Sequence, residues 1–273
     1  PSHLFSLSCL FVALIVLHPS MTSLVPYTTL IRSCVFLKLN VSLQKTIQLA
    51  YILNIETSTK NCSVSISKDG KLIAVKELNN GSYSHAEVLH PYINDVISDA
   101  NITSDKLRAI AVSKGPGSYT GLRIGVSAAK GLCFALNIPL ISVNTLQSLA
   151  KSISADNSLI APMLDARRME VYSAIFDSDY NQIREIKAEI INENSFLQYL
   201  ESSKVYFLGD GAEKCKSLIT HSNAIFIDSK FPSAKEMSVL SYVKYKKNDI
   251  ENVAYFEPFY LKDFIVVPQK KNL

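Results

Sequence analysis

None of the five cysteines, Cys9, Cys34, Cys62, Cys133 and Cys215, stands in a Cys-x-x-Cys pair. That absence removes the sequence grounds for a zinc site, and the odd, widely spaced set does not make a disulfide framework. A reducing cytosol suits such a chain. Cys62 and Cys133 fall in apolar patterns and read as core residues rather than nucleophiles. Charge is sparse as well: 19% of residues are Asp, Glu, Lys or Arg and the net charge is +4. A balance this weak and dispersed does not argue direct nucleic-acid binding, so Lys244-Tyr245-Lys246-Lys247 and Lys270-Lys271 read as surface charge. The most apolar run, Leu4 to Leu17, is too short for a comfortable membrane span, and no membrane partner is expected. It has the length of a signal h-region but lacks a Lys or Arg before it. Residues 1–47 are therefore set apart as a non-native or targeting-like extension, with the signal-peptide alternative open.

What is present is a chain of 273 residues, 48% hydrophobic, enough for two modest folded domains. From residue 48 an internal echo runs along it. In 48–150 an apolar strand (Tyr51 to Ile55) ends at Glu56. A second strand (Cys62 to Ser67) turns at Asp69-Gly70 into a third (Leu72 to Leu78). A helical stretch (Ser84 to Asp99) and a strand (Leu107 to Val112) follow, opening into Gly115 and Gly117. In 151–273 the counterparts are Leu159 to Leu164 ending at Asp165, Glu170 to Phe176 and Ile183 to Ile191. A helix over Glu193 to Ser202 and a strand over Lys204 to Leu208 then open into Gly209 and Gly211. Two β-β-β-α-β-α halves predict an α/β chain of the duplicated actin-like, sugar-kinase and heat-shock ATPase type, a ribonuclease H-like fold.

The run Lys114-Gly115-Pro116-Gly117-Ser118-Tyr119-Thr120-Gly121-Leu122-Arg123 passes from strand to helix through a glycine-rich turn. Backbone N–H groups at such a helix start can cradle a phosphate, and a tight turn that binds nothing has the same signature. The P-loop fingerprint is missing, since Leu122-Arg123 stands where Lys-Ser/Thr is required, and the dinucleotide spacing is missing too.

Ile55-Glu56-Thr57-Ser58-Thr59, Cys62-Ser63-Val64, the Gly115 to Gly131 run, Asp165-Ala166-Arg167-Arg168-Met169-Glu170-Val171-Tyr172 and Glu257-Pro258-Phe259-Tyr260-Leu261 follow one another as in the TsaB family. The resemblance covers about residues 50–262. It implies a non-catalytic partner subunit that binds and activates a TsaD-type catalytic subunit, for threonylcarbamoyladenosine formation next to the anticodon of tRNA. It also implies a cytoplasmic location, transient contact with a TsaE-type ATPase and tRNA met through the complex. No cofactor is expected on the chain alone, ATP and Mg²⁺ being used by the complex. A homodimer in the partner's absence stays open.

In the wider superfamily the acid ending each first strand positions a metal–phosphate group. Glu56, Asp165, Gly115 and Gly117 are thus the weak cofactor-binding candidates, and capping a turn or pairing with Arg167 or Arg168 is the favoured reading of both acids. Asp210 follows Gly209 in a short second-half turn, and no adenosine-binding Gly-Gly segment comes after it. His85 and His90 in His-x-Glu-x-x-His stand about 140° apart on a helix, poorly placed to share a metal ion. Val88, Leu89, Tyr92, Ile93, Val96 and Ile97 give that helix a broad apolar face. The helix from Leu122 to Leu136 is apolar nearly all round and needs two partners. Small residues on it allow a second subunit's helices to approach. Val88, Leu89, Tyr92, Arg123, Val126, Ser127, Ala128 and Lys130 are the interface candidates, and Phe259 and Tyr260 are expected to anchor the C-terminal segment on the first half. An ATP-dependent enzyme of the actin-like type and, more remotely, a peptidase are the alternatives, though no serine–histidine signature supports the latter.

Overall fold

Asp69 and Gly70, both at positive φ (50° and 80°), make the two-residue turn that reverses the chain between β2 (Cys62–Lys68) and β3 (Lys71–Leu78). In this computed structural model, residues 49–81 and 84–262 are described. The expected extension over residues 1–47 lies outside them. β1 (Tyr51–Glu56) pairs antiparallel with β2 and parallel with β4 (Leu107–Gly115), which carries β5 (Leu140–Asn144) on its far edge. The sheet order is β3-β2-β1-β4-β5. The second sheet repeats it as β8-β7-β6-β9-β10, built from β6 (Leu159–Asp165), β7 (Glu170–Phe176), β8 (Gln182–Ile190), β9 (Val205–Leu208) and β10 (Ala224–Ile227). Each half therefore gains a closing fifth strand that the sequence reading omits.

Period-2 alternation gives the first sheet two apolar faces. Leu53, Ile55, Ile110 and Val112 face α1 (His85–Asp99) and α2 (Tyr119–Leu136), meeting Leu89, Val126 and Ala129. Ile52, Ala109, Ala111 and Ile141 face the other way, onto Ala234 and Met237 of α5 (Ala234–Lys246). A long helix of the C-terminal third thus covers the first sheet, not the second. Serines reinforce that contact: Ser65 Oγ donates to the Ala234 carbonyl (2.7 Å) and Ser241 Oγ to Asn54 Oδ1 (2.6 Å). On the second sheet, Leu146 and Leu149 of α3 (Thr145–Ala150) pack against Ile160, Phe176 and Leu208.

Ser118 caps α2 by accepting the Gly121 N–H (3.3 Å), and Asn137 ends it in the left-handed region (φ 51°). The matching helix of the second half is absent: only a 3₁₀ turn over Glu213–Cys215 follows β9. The helix expected over Glu193 to Ser202 shrinks to the single turn α4 (Leu197–Leu200). The cause is local, because the Asn192 and Ser195 side chains form a turn and Phe196 enters the left-handed region at φ 67°. Among the described residues no helix is long and apolar enough to cross a membrane.

Candidate functional site

Glu56 closes β1 and is fully buried. Its Oε1 accepts the Ser58 N–H (2.7 Å) and the Ser113 hydroxyl (2.8 Å), and burial pushes its pKa up. Through Oε1 the carboxyl fixes the turn after β1, while Oε2 is buried without a hydrogen-bond partner among the described residues. Asp165, its counterpart at the end of β6, is exposed but engaged. It accepts the Arg167 N–H (3.0 Å) and is ion-paired with Lys214. Both acids cap turns, as read from the sequence, and the cation beside Asp165 is Lys214 rather than Arg167 or Arg168. The Asp165 N–H donates to Asp210 Oδ1 (3.0 Å), and burial raises the pKa of the Asp210 carboxyl.

The glycine turn is filled from within. The Ser58 carbonyl accepts the Ser118 N–H at 2.6 Å, occupying a donor that a phosphate would need. A Cβ on Gly117 would stand 2.4 Å from that carbonyl, and one on Gly121 would stand 2.2 Å from the Thr57 carbonyl. These glycines admit the chain's own β1–β2 loop. Gly115 N–H goes to Thr145 Oγ1 (3.1 Å). The second half does the same: the Gly211 N–H bonds the Met163 carbonyl (3.1 Å), and a Cβ on Gly209 would lie 2.1 Å from it. The donors and space that a phosphate would need at Gly115, Gly117 and Ser118 are thus occupied by the chain's own groups. Among the described residues no group of three or more metal-ligating side chains exists. His85 is buried with Nε2 2.7 Å from the Thr59 carbonyl, and His90 is exposed. Burial lowers the His85 pKa.

The open feature is a groove of about 620 Å³ between α1 and α2, lined by Ala86, His90, Ser127, Ala128, Gly131 and Leu132 among others. Of the interface candidates, Leu89, Arg123, Ser127 and Ala128 line this groove. Leu89 (0% exposed) and Val126 (4%) also belong to the domain's own core, and Val88 and Tyr92 are half-buried against it. The helical period places two of every few apolar residues inward, and only the sheet's position tells which.

Arg123 and Lys130 bind the chain's own C-terminal segment. Arg123 donates to the Tyr260 hydroxyl (3.2 Å) and lies over the Tyr119 ring (4.2 Å), while the Tyr119 and Tyr260 rings meet at a tilt with centroids 5.0 Å apart. Lys130 Nζ bonds the carbonyls of Ala254 and Phe256, both at 3.1 Å. Phe259 anchors by its backbone, its N–H meeting the Lys114 carbonyl (2.7 Å), while its ring stays 41% exposed.

Sequence reasoning missed Lys214, which has no signal because its partners lie more than forty residues away. Its ammonium bonds the Arg168 and Glu170 carbonyls (both 2.7 Å) as well as Asp165. Turning those carbonyls inward leaves Arg167 and Arg168 at φ 72° and 52°, a backbone cost of about 1 kcal/mol or more each.

Two sheets of one strand order, each with its first acid and glycine turn at the same end, define a duplicated actin-like, ribonuclease H-like protein. The family model described as "TsaD: tRNA N6-adenosine threonylcarbamoyltransferase" matches residues 79–267. The Escherichia coli "tRNA threonylcarbamoyladenosine biosynthesis protein TsaB" is 30% identical, over 78% of this chain and 94% of the relative. Its Bacillus subtilis namesake is 32% identical over 62% and 74%. The chain belongs to the TsaB family. The fold agrees with "YeaZ from Pseudomonas aeruginosa", with a TM-score of 0.67 at 23% identity, covering 78% of this chain and all of that one.

Proposed function

We propose that the chain serves tRNA threonylcarbamoyladenosine biosynthesis as a non-catalytic partner subunit, docking on and activating a TsaD-type catalytic subunit through the α1–α2 face. The observation that carries this reading is the open groove between two helices, bordered by the small residues Ala86, Ser127, Ala128 and Gly131. Small residues let a second helix pair approach closely. The self-filled glycine turns support the absence of a working site on this chain, so ATP and Mg²⁺ serve the complex and not the isolated subunit. A TsaE-type ATPase and tRNA then meet the chain within that assembly, in the cytoplasm, and the free face allows a homodimer when the partner is absent.

Ala128→Arg tests the reading. A long cation at the groove wall meets a closely packed partner without a counter-charge and costs several kcal/mol on docking. The variant is expected to keep its circular dichroism and melting curve while losing capture of a TsaD-type subunit and tRNA modification in reconstitution. Undiminished capture by the folded variant contradicts the docking face. ATP turnover by the purified chain that disappears in Asp165→Ala favours the enzyme alternative.

A further inference from the structure

The loop between β6 and β7, Asp165 to Glu170, carries two carboxylates and two guanidiniums, and the structure treats them unequally. Asp165 is ion-paired with Lys214 and Glu170 with Lys262, both cations arriving from distant segments. The loop's own arginines are left over. Arg167 and Arg168 are exposed, and among the described residues neither side chain has an ion pair or hydrogen bond. With Asp210, which accepts the Asp165 N–H, four cations face three acidic groups, and the cations left without a carboxylate partner are the adjacent guanidiniums.

Nor is the loop loosely held. Lys214 stands inside it, donating to the Asp165 carboxylate and to the carbonyls of Arg168 and Glu170. The Glu170 N–H closes back on the Arg167 carbonyl (3.2 Å) and the Ala166 N–H on the Glu170 carbonyl (3.1 Å). With those carbonyls bound inward, both arginines are held in the left-handed region on the outer side of the turn. Arginines whose backbone is held in this way lose less backbone freedom on binding than those of a mobile loop.

We propose that Arg167 and Arg168, presented by Lys214, are a contact for the phosphodiester backbone of an RNA. This rests on the reading that the chain works in a tRNA-modifying assembly. Paired guanidiniums suit phosphate oxygens, and charge complementarity favours a polyanion here over a protein surface with an apolar centre. Among residues 165–170, Met169 is the one large apolar side chain on the surface, at 38% exposure. Residues elsewhere offset the charge, so attraction acts at contact range and adds to what the rest of the assembly supplies.

The experiment measures labelled-tRNA binding to the reconstituted complex as a function of salt. The Arg167→Ala/Arg168→Ala variant is expected to bind about tenfold more weakly at moderate salt. The slope of log K against log salt should shrink by about 1.4 to 1.8, the release from two phosphates. Arg167→Lys/Arg168→Lys is expected to regain most of the slope. Lys214→Met, with its fold checked by circular dichroism, is expected to lose affinity although it touches no phosphate. Unchanged affinity and slope in the alanine variant overturn the proposal. So does loss of subunit capture in that variant, which would assign the loop to a protein partner, and so does unaltered tRNA binding alongside weakened binding of ATP alone. If the chain captures no partner, the proposed function fails, and mobility shift of tRNA by the chain alone at low salt still reads the two arginines.

Discussion

The two halves share a strand order and little else. In each, a glycine at φ 107° stands at the end of the fourth strand, Gly115 as its last residue and Gly209 directly after it. From there the first half launches an eighteen-residue helix and the second a three-residue 3₁₀ turn. The first acid is sealed beneath Ser58 and Ser113, and the second stands outside beside Lys214. One scaffold has been specialised in two directions: the first half keeps the long helices that border a groove, and the second keeps a short loop held around a lysine. What both retain is the close approach of the glycine turn to the first strand's end, which is a packing requirement of the sheet and independent of any ligand.

Glycine substitutions probe that shared feature with the largest effect. Gly121→Ala and Gly209→Ala each press a Cβ to about 2.2 and 2.1 Å from a backbone carbonyl. Losses above about 3 kcal/mol, seen in urea or thermal unfolding, are expected from such backbone clashes. Gly131 has open space around it, and Gly131→Ala is expected to hold or gain up to about 1 kcal/mol. Equal melting of the three variants breaks the claim that the turns are packing devices.

Next comes the contrast between the acids. Burial raises the Glu56 pKa above its unfolded value, so the folded state binds the extra proton. Stability from this group is complete below the unfolded pKa of about 4.3 and falls as pH rises toward the folded value. One proton sets a ceiling of about 1.4 kcal/mol per pH unit. Glu56→Gln is expected to flatten this slope between mildly acid and neutral pH in denaturant titrations. A variant with the wild-type slope assigns the titration elsewhere.

Removing the ammonium that holds two carbonyls, Lys130→Met, is expected to cost about 1 kcal/mol and to speed proteolysis within 252–262. Limited digestion at the wild-type rate contradicts the clasp. The smallest effect belongs to Asp165→Asn. Its carboxylate is about half exposed, and exposed pairs contribute less than about 1 kcal/mol. A drop in melting temperature matching the glycine variants would show that the two acids are not as different as their surroundings.

The strands from Tyr51 to Leu78 and from Leu159 to Ile190 were legible because alternation and the Asp69-Gly70 turn are local signals. The short closing strands, Leu140–Asn144 and Ala224–Ile227, carry too few residues to show a period. α5 is polar enough in pattern to escape notice, since its buried face meets a serine-lined strand surface. Of the interface candidates, Leu89, Arg123, Ser127 and Ala128 line the groove. Leu89 and Val126 show that an apolar residue on a two-faced helix does not declare its partner.

The sequence by itself determined the duplicated α/β pattern, the turn-capping acids and the family, because periodicity, caps and motif order act over a few residues at a time. Only the tertiary structure decided that Ser58 fills the glycine turn, that Lys130 and Arg123 hold the C-terminal segment and that Lys214 stands inside the 165–170 loop. Those contacts join segments tens to more than a hundred residues apart. Their energies depend on burial and geometry that exist once the two sheets have formed.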